Sequence, residues 1–119
     1  MATITPVAQN PQASDKYQVW KWEGVGGSDT CTPLTVGQYR EVMVQSVSTN
    51  WNSKTITWKG TLIADGSSPM PVTDGQSASG LVHSADALDE VLQIPAVIQP
   101  IPSGSGGDAI DIYLLGKLY

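Results

Sequence analysis

Phenylalanine is absent from this chain, cysteine and histidine occur once each, and only 14% of the residues are charged. Each shortage excludes something. A lone Cys31 cannot close an intrachain disulfide, so synthesis in a reducing cytoplasm is expected. One histidine and one cysteine cannot supply a zinc tetrad of the usual kind. The six basic residues are Lys16, Lys21, Arg40, Lys54, Lys59 and Lys117, scattered in a chain of net charge −5. A phosphate backbone is held by clustered cations, so no nucleic-acid partner is expected. No apolar run reaches the roughly 18 residues that suggest a membrane-spanning helix, so no membrane partner is expected either. The start, Met1 to Pro6, has neither the charged nor the apolar region of a signal peptide.

Chemistry is sparse as well. His83 beside Ser84, with Ser79 nearby, lacks a nucleophile elbow and a visible orienting group, so it is read as a surface or loop histidine. Cys31, between two threonines and next to Pro33, is read as a small, partly buried apolar residue. Asp108 with Asp111, and Asp86, Asp89 and Glu90, lack the alternating ligand spacing of a calcium loop and are read as a solvated acidic face. Gly104 to Gly107 carries no lysine and precedes no helix, so it is not a phosphate cradle. No catalytic residue, metal or cofactor is expected, and the chain is read as not an enzyme.

What is present is strand pattern. Residues 55–63 place Ile56, Trp58, Gly60 and Leu62 on one face and Thr55, Thr57, Lys59 and Thr61 on the other. Gly60 in the apolar row suggests a bulge or a close approach by a neighbouring backbone. Residues 40–47 form a β-branched partner, and the polar stretch 48–54 between them suits a turn, so the pair is predicted to be an antiparallel hairpin with a long loop. Residues 17–23 put Trp20 and Trp22 on one face, and residues 109–116 do the same for Ile110, Ile112 and Leu114. The Gly/Ser run 103–108 reads as a second hairpin loop, leading from an extended Ala96-Val97-Ile98 segment. Residues 74–80 read as a surface loop. Leu81 to Ile94 is ambiguous: Ala85, Leu88 and Leu92 recur at helical spacing behind Ser84, which allows one or two helical turns.

Residues 1–16 have no period. Ile4 and Val7 are their apolar anchors, and Pro6 and Pro11 pre-extend the backbone. They form either a disordered terminus or an arm that orders against a neighbouring subunit. Trp51 sits in a polar loop, where it either folds back on the domain or anchors a protein interface. Ile4, Val7, Pro11 and Trp51 are therefore the candidate interface residues. Together the segments predict an all-β chain: a single antiparallel sandwich or jelly-roll-like domain over 17–119 behind an extended arm over 1–16.

The order of parts resembles a known group. An aromatic strand at Val19-Trp20-Lys21-Trp22-Glu23 is followed by a Gly-rich turn and Thr32-Pro33-Leu34. Then come Val42 to Val47, Thr55 to Gly60 with Asp65-Gly66 behind it, a proline-flanked segment, and Asp111 to Leu115. This arrangement resembles the small β-sandwich virion proteins of tailed bacteriophages, including capsid decoration (cement) proteins. The resemblance implies a non-enzymatic component of the capsid surface, bound to the major capsid protein and assembled as a homo-oligomer, with trimers usual. Removing residues 1–16 is then expected to weaken capsid binding and leave the isolated fold intact. Two other classes share these features: a phage tail, adaptor or fibre-base protein, and a carbohydrate-binding module with Trp51 and Trp58 as its platform.

Overall fold

The computed structural model describes residues 2–9, 16–74, 80–105 and 108–118. Alternating inward and outward side chains generate twelve strands, and no helix occurs among the described residues. In chain order they are β1 (Thr3–Ile4), β2 (Val7–Ala8), β3 (Tyr17–Val25), β4 (Thr30–Cys31), β5 (Leu34–Thr35) and β6 (Glu41–Val47). They continue as β7 (Thr55–Thr61), β8 (Met70–Pro71), β9 (Val82–His83), β10 (Ala87–Glu90), β11 (Val97–Ser103) and β12 (Ile110–Lys117). Two layers result. The larger runs β10-β6-β12-β3-β2, and the smaller runs β5-β11-β7-β8 with β9 also on β7. The molecule is an all-β sandwich.

The core lies between the layers. From the larger sheet come Trp22, Val42, Val44, Ile110, Ile112 and Leu114; from the smaller come Ile56, Trp58 and Ile98, all with no exposed surface. Trp22 and Trp58 meet edge to face, with ring centroids 5.9 Å apart at 72°. That geometry sets the positive edge of one ring against the negative face of the other.

Both predicted hairpins are something else. Strands β6 and β7 do not pair; one belongs to each layer, and residues 48–54 carry the chain across the sandwich. The same holds for β11 and β12, joined by residues 104–109. Each strand has one apolar face, and covering that face requires a second sheet above it rather than a neighbour beside it. The crossing at 48–54 uses left-handed backbone at Asn52 and Ser53, with φ of 43° and 68°. It is tied to the second crossing, where the Asp108 N–H donates to the Asn50 carbonyl at 3.1 Å and Ser48 Oγ donates to the Ala109 carbonyl at 3.1 Å.

The ambiguous stretch 81–94 is extended, not helical. Leu81 and His83 point in while Val82 points out, and in β10 Asp89 points in while Leu88 points out. Polar side chains occupy inner positions here, so the apolar residues do not mark the face. Leu62, predicted to be inside, is 82% exposed, because β7 ends at Thr61 and the chain turns, with the Gly66 N–H donating to the Ile63 carbonyl at 2.9 Å.

The N-terminal segment is built into the domain. Strand β1 pairs in parallel with β4, and β2 extends the larger sheet by pairing with β3. Thr30 and Thr32 donate their N–H groups to the Ala2 and Ile4 carbonyls, both at 2.8 Å. Ile4 packs on the core. Pro11 and the rest of 10–15 lie outside the described residues, as do residues 75–79 of the predicted 74–80 loop.

Two glycines are fixed by what covers them. Gly60 lies under the Pro95 ring and Val72: a Cβ there would sit 2.4 Å from Pro95 Cγ. Gly116, on the inner face of β12, lies under the Tyr39 ring, 2.3 Å from where a Cβ would be. Tyr39 in turn accepts a hydrogen bond from Trp20 Nε1 at 3.0 Å.

Gly116→Ala should therefore push Tyr39 off its seat and cost about 1–3 kcal/mol through overpacking, read as a lower urea midpoint with altered Trp20 emission. An unchanged midpoint would show that Tyr39 is not seated as described. Deleting residues 2–9 should cost stability as well, on the order of 1–3 kcal/mol, because it uncovers β4 and removes Ile4 from the core. Thermal unfolding checks this, and an unshifted midpoint would contradict the role given to β1.

Candidate functional site

The three side chains with the most chemical potential form one line inside the sandwich. Ser46 Oγ is 2.6 Å from His83 Nδ1, and His83 Nε2 is 2.9 Å from Asp89 Oδ2. An ionised carboxylate only accepts, so in the neutral imidazole Nε2 carries the proton toward Asp89, which leaves Nδ1 to accept from the Ser46 hydroxyl. His83 stands on β9, in the smaller layer, while Ser46 and Asp89 stand on β6 and β10 of the larger one. The line is thus a polar tie between sheets. His83 also meets the Trp58 ring edge to face, 6.4 Å between centroids.

This corrects the reading of His83 as a surface residue: it is 1% exposed, and Ser46 is fully covered. The order of contacts also differs from a hydrolytic triad, where the serine meets Nε2 and the acid meets Nδ1. A signal existed in the period-2 alternation Leu81-Val82-His83, which places His83 with Leu81. Of the two serines considered beside it, Ser84 is not its partner, and Ser79 lies outside the described residues.

Other reactive groups are also occupied. Cys31 is buried, and burial, helped by the nearby Asp29 charge, pushes its thiol up to about 12. A thiol so placed is a poor nucleophile at neutral pH. Asp108 and Asp111 are tied to neighbouring segments: the Asp108 carbonyl accepts from the Ser48 hydroxyl and its carboxylate from the Thr49 hydroxyl, and Asp111 Oδ1 accepts from the Gly24 N–H at 3.0 Å. No group of three or more metal-ligating side chains occurs among the described residues.

The tryptophans do not form a platform. Trp58 has no exposed surface, and Trp22 is equally buried, donating Nε1–H to the Thr32 carbonyl at 3.0 Å. Trp51 is half-buried against the core and donates to Asp86 Oδ1 at 2.8 Å. Of the two readings left open for Trp51, folding back on the domain is the one observed. Of the other candidate interface residues, Ile4 is half-buried and Val7 is 60% exposed.

Outward apolar side chains, some exposed and some half-buried, line two grooves instead. The first lies on the outer face of the larger sheet. One row across it reads Leu88, Gln45, Tyr113, Lys21, Val7, and the next reads Glu90, Met43, Leu115, Val19. Val19, Met43, Gln45, Leu88, Tyr113 and Leu115 line a shallow groove there. Lys21 lies along the surface with Nζ 5.3 Å from the Tyr113 ring centre and 2.9 Å from Glu23 Oε1. The hydrogen bonds to Glu23 and then Tyr113 hold its ammonium above its ordinary range. Its charge is thereby matched on the sheet. The outer side of the smaller sheet is mixed, with Val82, Thr57 and Ile101 in one row and Pro71, Lys59 and Gln99 in the next. The second place is one end of the sandwich, where Leu62, Met70 and Ile94 line a groove with Pro71, Thr73 and Pro95. Met70 is 67% exposed, and Leu92 lies beside this end. Sequence reading missed both, because outward apolar residues look like core residues when the face is unknown.

Asp86 accepts from Trp51 Nε1 and from the Ser48 N–H, and these bonds, the first above all, hold its carboxyl below its ordinary range. A depressed folded-state pKa contributes stability above the unfolded value, and that contribution is lost as pH falls through the folded value. In Trp51→Phe the Asp86 carboxyl should titrate closer to the ordinary value of about 3.9, measured by NMR from pH 2 to 6. An unmoved titration would show that the indole is not its main partner.

No family model matches the chain, and no curated protein matches its sequence. Among solved structures, the fold is similar to that of the SPBc2 prophage-derived protein YomS. The TM-score is 0.62 at 11% identity, over 87% of this chain and 96% of that one. The likeness extends over nearly the whole of both molecules, and it is a likeness of fold.

Proposed function

We propose that this chain is a non-enzymatic structural protein of a tailed-phage virion, acting as a capsid decoration protein on the lattice of the major capsid protein. The observation that carries the reading is an inversion. The side chains capable of chemistry are spent inside as ties, while large apolar side chains stand outside on two separate surfaces. Two apolar surfaces on one small sandwich suit a molecule that holds a partner with one and a neighbour with the other. Occupying several subunits at once raises affinity without new contact types.

The fold shared with a prophage-derived protein supports a phage setting, and the sequence resemblance to cement proteins supports the head. The buried Trp58 removes the support for a carbohydrate-binding module. A tail, adaptor or fibre-base role would use the same surfaces at a lower copy number.

The test is sedimentation of the purified protein with shells of the major capsid protein. Wild type should co-sediment near saturation, and Leu62→Glu with Met70→Glu should bind at least tenfold more weakly with an unchanged far-UV spectrum. Absence of binding by the wild-type protein, with a few copies per particle located at the tail by electron microscopy, would overturn the capsid assignment.

A further inference from the structure

We propose that the outer face of the larger sheet is the docking site for an amphipathic helix of a partner protein, apolar along one stripe and basic toward both of its ends. The inference goes beyond the virion reading and does not rest on it.

Charge identifies the class of partner. The groove in the middle of the face is floored by Val19, Met43, Leu88, Tyr113 and Leu115, with Gln45 among them. Carboxylates stand at both ends of it. At one end are Asp111 and Glu23, both within reach of Lys21, at 3.8 and 2.9 Å. Toward the other are Glu41, in register with Lys117, and Glu90, in register with Met43. Lys117 lies 3.3 Å from Glu41, and Glu90 has no ion-pair partner among the described residues. Four carboxylates thus face two ammonium groups, each already engaged by a neighbouring acid. The face is an apolar floor between two acidic rims, on a chain of net charge −5. A second copy would set acid against acid, and an anionic lipid surface would be repelled in the same way. A partner that brings Lys or Arg to the rims is attracted, and its apolar side chains fill the floor between them.

Backbone chemistry identifies its form. Strands β6, β12 and β3 each pair on both sides, so the face offers a partner side chains and no free ladder of N–H and C=O groups. An extended peptide laid across it would leave its own backbone groups without partners, whereas a helix satisfies them internally. Helix on sheet is also a standard way to cover an apolar face. Length follows from the rims. From Asp111 to Lys117 is six steps along β12, about 20 Å. A helix of about 14 residues spans that distance. The covered area falls below the roughly 1,000 Å² of a stable interface, so the contact should be weak and reversible.

The test is an NMR titration of the full chain with synthetic peptides of about 18 residues, long enough to form a helix. The probe is a Leu/Lys peptide with its leucines on one helical stripe. One control carries Glu in place of Lys, and a second has the Leu/Lys order shuffled so that no stripe forms. The striped Leu/Lys peptide should saturate below about 1 mM, with shifts centred on Val19, Met43 and Leu115. Leu88→Gln should weaken it at least fivefold; Leu88 is 60% exposed, so this change leaves the core untouched. Glu41→Gln with Glu90→Gln should weaken it by a similar factor and flatten its dependence on salt. Leu62→Gln, at the end of the sandwich used in the shell-binding test, should change nothing, so either reading can fail alone. No saturation, equal binding of either control peptide, shifts centred on the smaller sheet or the Leu62 end, or indifference to both face variants would each overturn the proposal.

Discussion

The structure depends on one buried contact set: the His83 imidazole, held by Ser46 on one side and Asp89 on the other, with Trp58 against its ring. Sheet-on-sheet packing is driven by area and is weakly directional, so apolar faces alone permit sliding. A polar line with two hydrogen bonds does not. Shifting one layer by a residue would break both bonds and strand a fully buried hydroxyl, at a cost of about 1–3 kcal/mol for that group alone. The two indoles at the centre supply the largest single shares of the apolar drive. Burying about 200 Å² each is worth up to about 5 kcal/mol per ring. The polar line fixes the register that this drive leaves open. Trp58 accepts a local cost for its position, since its Nε1–H has no hydrogen-bond partner among the described residues.

The surface follows from the interior. Asp89 must point inward to reach His83, and strand alternation then turns its neighbours Leu88 and Glu90 outward. The same geometry on β6 sends Ser46 in and Gln45 and Val47 out. Apolar side chains thus accumulate outside the larger sheet partly because polar ones occupy inner positions opposite the tie. The inward polar line and the outward apolar face are two consequences of one register. A sandwich built this way has little free chemistry and much free contact area, which is the physical basis of the binding role proposed for it.

Legibility in the sequence was uneven for identifiable reasons. The faces of β3, β7 and β12 were plain, because Trp22, Ile56, Trp58, Ile110, Ile112 and Leu114 recur at every second position of their strands and are all buried. Gly60 and Gly116 lie under the Pro95 and Tyr39 rings; the strand pattern marked Gly60 as a bulge or a close backbone approach, whereas side chains cover it. The pairing of strands was not legible. A polar linker between two amphipathic strands looks the same whether it turns within a sheet or crosses between sheets, and both β6 with β7 and β11 with β12 belong to different sheets. The stretch 81–94 defeated pattern reading because His83 and Asp89 satisfy each other inside, which reverses the sign on which hydrophobic periodicity relies.

The most direct test of the central tie is NMR of the His83 side chain, recording the imidazole nitrogens and the exchange of their proton with water. The neutral tautomer with the proton on Nε2, exchanging about as slowly as amides of β6 and β12, is the expected result. A proton on Nδ1, or one that exchanges freely with solvent while those amides remain protected, would show that the Ser46–His83–Asp89 line does not hold the two layers in register.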